Sequence, residues 1–280
     1  HKIDVIEQTY KYNKDGSLKA AYFDNKGYQY KYNIEGLLES KSLSGKEIIR
    51  YTYDKNNNIK TIKDISGKTT KYTYDENNRL TLIGDENNNK VASYSYYKND
   101  KIKNVTLGNG INTSYTYDDD GNVENLLTIS SNGEVIIDYK YAYDLNGNRI
   151  TKAGSKHSSF YSYDKVNRLK ECNYDGRKES YSYDNVGNRT SRTTNDVVEK
   201  YLYNVKNQLV EIVGEKEHKY FTYDKKGNTI KKETNTGNSY YEYNTLNQQI
   251  KVARKEGNTL ISRYDAEGLR YEIEENEKLS

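Results

Sequence analysis

The chain has 280 residues, 44 basic and 41 acidic side chains and a net charge of +3, so it carries no one-signed surplus of the kind that suits nucleic acid or an anionic membrane. No apolar run approaches the roughly 20 residues that span a bilayer, no signal-peptide pattern opens the chain, and a single cysteine, Cys172, excludes an internal disulfide. Thirty-two tyrosines fall on a period, which a disordered polar chain does not show.

In chain order the units begin at Tyr10, Tyr30, Tyr51, Tyr72, Tyr94, Tyr115, Tyr141, Tyr161, Tyr181, Tyr201, Phe221, Tyr241 and Ser262. Successive starts lie 20–22 residues apart, with one interval of 26. The third place is always tyrosine: Tyr12, Tyr32, Tyr53, Tyr74, Tyr96, Tyr117, Tyr143, Tyr163, Tyr183, Tyr203, Tyr223, Tyr243 and Tyr264. Four residues further on stand Gly16, Gly36, Asn57, Asn78, Asp100, Gly121, Gly147, Asn167, Gly187, Asn207, Gly227, Asn247 and Gly268. Only the residue types that best tolerate positive φ occupy that column, so it is a backbone position, a turn.

Tyr-x-Tyr places two rings on one face of a strand, since strand side chains alternate. Asp or Asn follows at the fourth place in every unit except the one with Tyr97, and its short side chain can bond backbone two residues on and open the turn. An apolar stretch then returns, as in Ile59 to Ile62, Leu80 to Leu82, Leu169, and Leu209 to Ile212. It ends in a second turn signal: Ser66-Gly67-Lys68, Ser131-Asn132-Gly133, Asp175-Gly176, Asn235-Thr236-Gly237 or Glu256-Gly257-Asn258. Each unit reads as two short strands and two turns.

From Tyr141 onward the turn residue alternates between Gly and Asn, which suggests a building block of two units. The first apolar residue after the turn is Leu169 or Leu209 in two Asn units. It falls one place later, at Ile150 or Ile230, in two Gly units. A one-place shift reverses the face of a strand, so the Gly-Asn turns are expected to be one residue longer, with a G1-type bulge. The fold class expected is all-β: a long meander of about 26 short antiparallel strands, too many to stay flat, forming a curved or spiralling sheet. The chain is read as a single continuous array over 1–280, about thirteen units of ~20 residues, cut from something longer at both ends because it opens on His1 inside a repeat.

Tyr141-Ala-Tyr-Asp-Leu-Asn-Gly-Asn-Arg149, Tyr161-Ser-Tyr-Asp-Lys-Val-Asn-Arg-Leu169 and Tyr181-Ser-Tyr-Asp-Asn-Val-Gly-Asn-Arg189 resemble the YD-repeat family. That family includes bacterial Rhs and wall-associated proteins, the shell-forming components of insecticidal toxin complexes, and animal teneurins. The resemblance covers essentially the whole chain. Near the end, Tyr264-Asp-Ala-Glu-Gly-Leu-Arg270 is similar to the unit that in many bacterial members lies not far upstream of the core terminus.

The resemblance implies a bacterial, secreted or cell-surface, cell-wall-associated protein whose repeats form part of a hollow β-shell. Its partners would be the rest of that shell and an enclosed C-terminal toxin domain. Without a proline, the chain lacks the family's Pro-containing core-terminal motif with its self-cleaving aspartates. The variable toxin domain is also missing, so neither autoproteolysis nor toxicity falls to these residues.

No catalytic, cofactor or metal site is expected. His157 and His218 sit in or beside inter-strand turns, and Asp118-Asp119-Asp120-Gly121-Asn122 lacks the spaced ligands and terminal Glu of a calcium loop. The alternative reading is an adhesion module in which exposed tyrosines stack on cell-surface carbohydrate or a protein partner.

Overall fold

The structure is a computed structural model that describes residues 8–23, 26–255, 257–276 and 278–279. Among them there is strand and turn and no helix. The chain divides into two compact units, His1–Tyr141 and Ala142–Ser280, and the division falls inside the strand Val135–Tyr143.

The first unit is an antiparallel meander from Gln8–Tyr12 onward, each strand pairing with its neighbours in sequence. The second repeats the plan from Arg149–Gly154 to Lys278–Leu279. Within each unit, strands touch only the strands next to them in the chain, so each is one layer thick. Such a sheet has no interior between layers. Among the described residues the buried apolar side chains are Ala20, Ala21, Phe23, Tyr28, Tyr30 and Ala92 in the first unit, and Cys172, Tyr201, Val252 and Ala266 in the second. Stability therefore rests on nearest-neighbour strand contacts, the arrangement of a quasi-one-dimensional repeat.

Two kinds of turn join the strands. On one edge of each unit, two-residue turns connect the strands, Ser44-Gly45 in the first and Asp175-Gly176 and Asn195-Asp196 in the second, both residues with positive φ, the geometry that matches strand twist. Glu256 of the Gly257 turn signal lies outside the described residues.

On the other edge, the Tyr-to-Gly/Asn segment closes a three-residue loop. Here the turn length departs from expectation. Tyr163 pairs with Leu169 in an Asn unit and Tyr183 with Arg189 in a Gly unit, so both corners have the same length. Both also carry a bulge, because Ser162 pairs with Glu171 and Ser182 with Ser191, leaving Lys170 and Thr190 unpaired. The apolar residue moves because a polar side chain takes its place, Arg149 before Ile150 and Thr229 before Ile230, and in a third Gly unit the place is Arg189. The guanidinium carbon of Arg189 lies 4.4 Å from the Tyr201 ring centre and that of Arg149 lies 5.1 Å from Tyr161, a cation–π contact where other units put leucine.

Candidate functional site

The recurrent feature of this chain is the corner that follows each third-place tyrosine. In the corner at Asp164, the Asp164 amide donates to the Arg168 carbonyl (2.9 Å) and the Asn167 amide donates to the Asp164 carbonyl (3.0 Å). The Asp164 Oδ1 accepts from the amides of Val166 and Arg168, each at 3.0 Å. One carboxylate oxygen thus holds two backbone donors of a three-residue loop, which is why the fourth place is Asp or Asn. Asn204 and Asn244 do the same with their amide oxygens, and Asn33 Oδ1 accepts from the Leu37 amide.

The residue closing the loop must then be left-handed. All thirteen Gly, Asn and Asp corner residues have positive φ, between 59° and 99°. In the corners of Asp144, Asp184 and Asp224, hydrogen bonds from the side-chain amides of Asn148, Asn188 and Asn228, together with backbone amides, hold the carboxyl below its ordinary range.

The alternation of Gly and Asn has a mechanical cause between successive corners. Where a corner ends in Gly-Asn, the asparagine amide reaches the Asn of the next corner: Asn148 to Asn167 at 2.8 Å, Asn188 to Asn207 at 3.3 Å, Asn228 to Asn247 at 3.2 Å. In the second unit, where a corner ends in Asn followed by a longer residue, that residue leans towards the next corner, which is glycine; in the first unit Arg79, after Asn78, instead meets the side chain of the corner residue Asp100 at 2.7 Å. Arg168 Nη1 donates to the Asp184 carbonyl (3.0 Å), ahead of Gly187. A Cβ at Gly227 would stand 3.5 Å from Gln208 Nε2, one at Gly268 would stand 3.2 Å from Gln248 Nε2, and one at Gly121 would collide with Lys101 Nζ. The two-unit building block is thus a small-reaches-Asn, long-covers-Gly alternation.

The third-place tyrosines bind the units together through their hydroxyls. Tyr32, Tyr53, Tyr74, Tyr96, Tyr117, Tyr163, Tyr183, Tyr203, Tyr223 and Tyr264 each donate to the carbonyl of the first strand residue after the preceding corner, at 2.6–3.0 Å. Tyr12 has no preceding corner among the described residues and is 61% exposed. The Tyr243 hydroxyl accepts from Gln249 Nε2 at 3.3 Å. Burial, the leading cause in each case, raises the phenols of Tyr183's equivalents Tyr53, Tyr74, Tyr96 and Tyr203 above their ordinary value. Phe221 and Ser262 occupy the first place, but the third place admits only a ring with a donor. Changing Tyr183 and Tyr203 together to Phe should cost about 1 kcal/mol each, the worth of a donor removed from a part-buried carbonyl. Equilibrium denaturation measures it; an unchanged midpoint would show that the hydroxyls do not clamp the corners.

One denser polar cluster lies on the tyrosine face of the second unit. Glu179, only 7% exposed, takes Arg192 Nη2 and Arg177 Nη2 at 2.7 Å each on Oε1 and the Tyr181 hydroxyl on Oε2. The Arg192 hydrogen bond first, then Tyr181, hold its carboxyl down to about 2. Buried Cys172 pairs across the strands with Tyr161 and Glu179. Its hydrogen bond to Tyr174, ahead of burial, pushes that phenol up to about 12. Every charge here is paired within the strand face, so the cluster stitches strands together.

His157 Nδ1 meets Asp175 Oδ2 at 2.6 Å in an exposed turn, and His218 Nε2 meets Glu211 Oε1 at 2.9 Å. His1 lies outside the described residues. Asp118 serves as a corner carboxylate, accepting the Asn122 amide at 2.7 Å. Among the described residues no three His, Cys, Asp or Glu side chains gather as a metal site, and no helix is long and apolar enough to cross a membrane.

Fold and corners together define a class: an all-β array of tandem hairpin units with tyrosine-clamped turns. Residues 50–90 match the family model described as RHS Repeat. The chain is similar in fold to the Tc holotoxin pore of Photorhabdus luminescens (TM-score 0.68, 13% identity), over 97% of this chain and 18% of that one. It is similarly related to the TcdB2–TccC3–TEV complex (TM-score 0.64, 13% identity, 98% and 20% of the two chains). It also resembles TcdB2–TccC3 without its hypervariable C-terminal region (TM-score 0.56, 13% identity, 94% and 20%). The chain spans about a fifth of the length of these structures. No curated protein matches it. The RHS repeat matched over 50–90 and the fold shared over 97% of the chain agree with the tandem units described above.

Proposed function

We propose that the array is a wall segment of a bacterial, secreted or cell-surface β-shell that scaffolds or encloses a C-terminal toxin domain. The observation that carries this reading is the clamp: each unit's third-place tyrosine fastens the corner of the unit before it. The repeated chemistry is thereby spent on continuity of a wall. Likeness of fold to the Tc holotoxin pore over 97% of this chain supports it. So does likeness to a TcdB2–TccC3 structure without its hypervariable C-terminal region, since the matched portion there is not that region. The continuity of all thirteen units in one array belongs to the same proposal, as do its partners, the remaining wall and the enclosed domain.

Limited proteolysis of the intact parent protein tests it. The segment following this array should resist protease while the parent is folded and be cleaved rapidly once the array is deleted. Equal cleavage rates in both proteins would sink the enclosure reading while leaving the fold untouched.

A further inference from the structure

On the edge away from the tyrosine corners, the second unit holds a cavity of about 360 Å³ whose lining includes Glu217, Lys232, Thr234, Ser239, Arg254 and Lys255. Its floor follows from the strand register. Lys232 of the strand Thr229–Thr234 pairs with Ser239 of Gly237–Tyr243, and Ser239 pairs with Arg254 of Gln249–Arg254. Residues directly opposite one another share a face of the sheet, so the three side chains stand in one row. Neighbouring strands lie about 4.8 Å apart, which puts the backbones of Lys232 and Arg254 about 10 Å from each other with the Ser239 hydroxyl between them. Among the described residues neither Lys232 nor Arg254 has an ion pair or a side-chain hydrogen bond.

Lys255 adds a third cation that the fold holds in place. Its Nζ donates to the Thr236 carbonyl at 3.0 Å. Its stem crosses Gly237, where an added Cβ would stand 2.5 Å from Lys255 Cδ and 2.8 Å from Lys255 Cβ, so glycine there leaves room for the lysine. The acid in the lining, Glu217, already holds Lys219 Nζ at 2.7 Å. Glu233 follows Lys232 in sequence but faces the other side of the sheet, where it holds Lys231 at 2.8 Å. The lining carries three cations and one acid, and adding Lys219 and Glu256, the acid of the same turn in sequence, leaves the excess at two. The repeat itself does not call for such a row. The corresponding rows read Cys172–Glu179–Thr194 and Ile212–Lys219–Thr234, and the one charge in each is paired, Glu179 with two arginines and Lys219 with Glu217.

We propose that this cavity binds a tetrahedral oxyanion, as inorganic phosphate or as the phosphate of a monoester. The Arg254 fork, the Lys232 and Lys255 ammonium groups and the Ser239 hydroxyl supply donors from more than one side. Such a set suits an ion with several acceptor oxygens, whereas a carboxylate is satisfied by a guanidinium fork alone. The excess of two positive charges matches a phosphate monoester, which carries about −1.5 to −2 at neutral pH. The volume is roughly twelve times the 30 Å³ or so that a water occupies in the liquid, which leaves room for the organic part of an ester beside its phosphate. The balanced charge of the whole chain conceals this row, because its members lie on three strands and meet only through the register.

Isothermal titration of this chain tests the proposal, with inorganic phosphate and with glycerol 3-phosphate as probes and the ionic strength held constant by sodium chloride. Phosphate should bind saturably at one site, and acetate should not displace it. Affinity should fall about tenfold or more in Lys232→Gln with Arg254→Gln. Removing the same charge from two exposed corner lysines, Lys165→Gln with Lys206→Gln, should leave it intact. Circular dichroism checks that each variant stays folded, and Ser239→Ala, a smaller change in the middle of the row, should weaken binding with both cations in place. Glycerol 3-phosphate binding at least as tightly as phosphate would assign the cavity to an ester, and its exclusion while phosphate binds would assign it to the free ion. Three results would overturn the proposal: no saturable binding of either probe, equal loss in the row and corner variants, or displacement of phosphate by acetate at equal concentration.

Discussion

Glu179→Gln is expected to destabilise the second unit by about 3 kcal/mol near neutral pH, the low end of the cost of removing one partner from a buried ion pair. The wild-type carboxylate is 7% exposed and receives two guanidinium groups and a phenol. Glutamine keeps the volume but leaves Arg192 and Arg177 without their shared anion. The one-layer sheet moderates the loss, because Arg177 is 56% and Arg192 30% exposed and water can reach both.

The pH dependence runs in a defined direction. Arg192, then Tyr181, depress the folded carboxyl to about 2, below an unfolded value of about 4.3. Its stabilisation is therefore complete above the unfolded value and lost as pH falls from there towards 2. That shift corresponds to roughly 3 kcal/mol, in agreement with the mutational figure. The corner carboxyls of Asp144, Asp184 and Asp224 are also lowered, by hydrogen bonds from the side-chain amides of Asn148, Asn188 and Asn228, so they add to the acid dependence of the whole unit. The comparison that isolates Glu179 is thus wild type minus Glu179→Gln, measured by urea denaturation at pH 7, 4 and 2.5. The difference should shrink steadily with acid. A difference that stays constant over this range would show that the carboxylate's charge contributes nothing.

The periodic part of this structure was legible because it is written in columns. A place restricted to Gly, Asn and Asp can only report positive φ, and one that is Asp or Asn can only report a turn-opening oxygen. The tyrosine column announced a face but not its purpose. The acceptor of Tyr183 is the Leu169 carbonyl, a backbone atom that leaves no mark in the sequence, although the exclusion of Phe from the third place while Phe221 stands in the first was the available signal.

The turn length was misread for a related reason. Counting apolar residues treats Arg149 and Arg189 as polar, whereas their stems and guanidinium planes cover tyrosine rings where leucine would otherwise sit. The Glu179 cluster was out of reach from one sequence. Its residues lie on three successive strands and meet only through the strand register, and nothing in the sequence marks Glu179 out among 41 acids.

The corner column gives the largest expected change of all. Replacing Gly147, Gly187 and Gly227 together by Val should cost about 1–2 kcal/mol at each site, and several kcal/mol in sum. These residues hold φ of 78°, 99° and 91°, where a β-branched side chain clashes with its own backbone. At Gly147 and Gly187 an added Cβ meets nothing within 4 Å, so the cost there is conformational and not steric contact with neighbours. At Gly227 the Cβ also stands 3.5 Å from Gln208 Nε2, which adds a contact that the side chain must absorb.

The three corners are four strands apart in succession, about 19 Å, beyond the range at which mutations couple, so the costs should add. Asparagine separates backbone from bulk, because Asn167, Asn207 and Asn247 already occupy the intervening corners at φ of 64°, 59° and 61°. Gly187→Asn should therefore lose much less than Gly187→Val. If valine and asparagine prove equally damaging at Gly187, positive φ is not what the column selects.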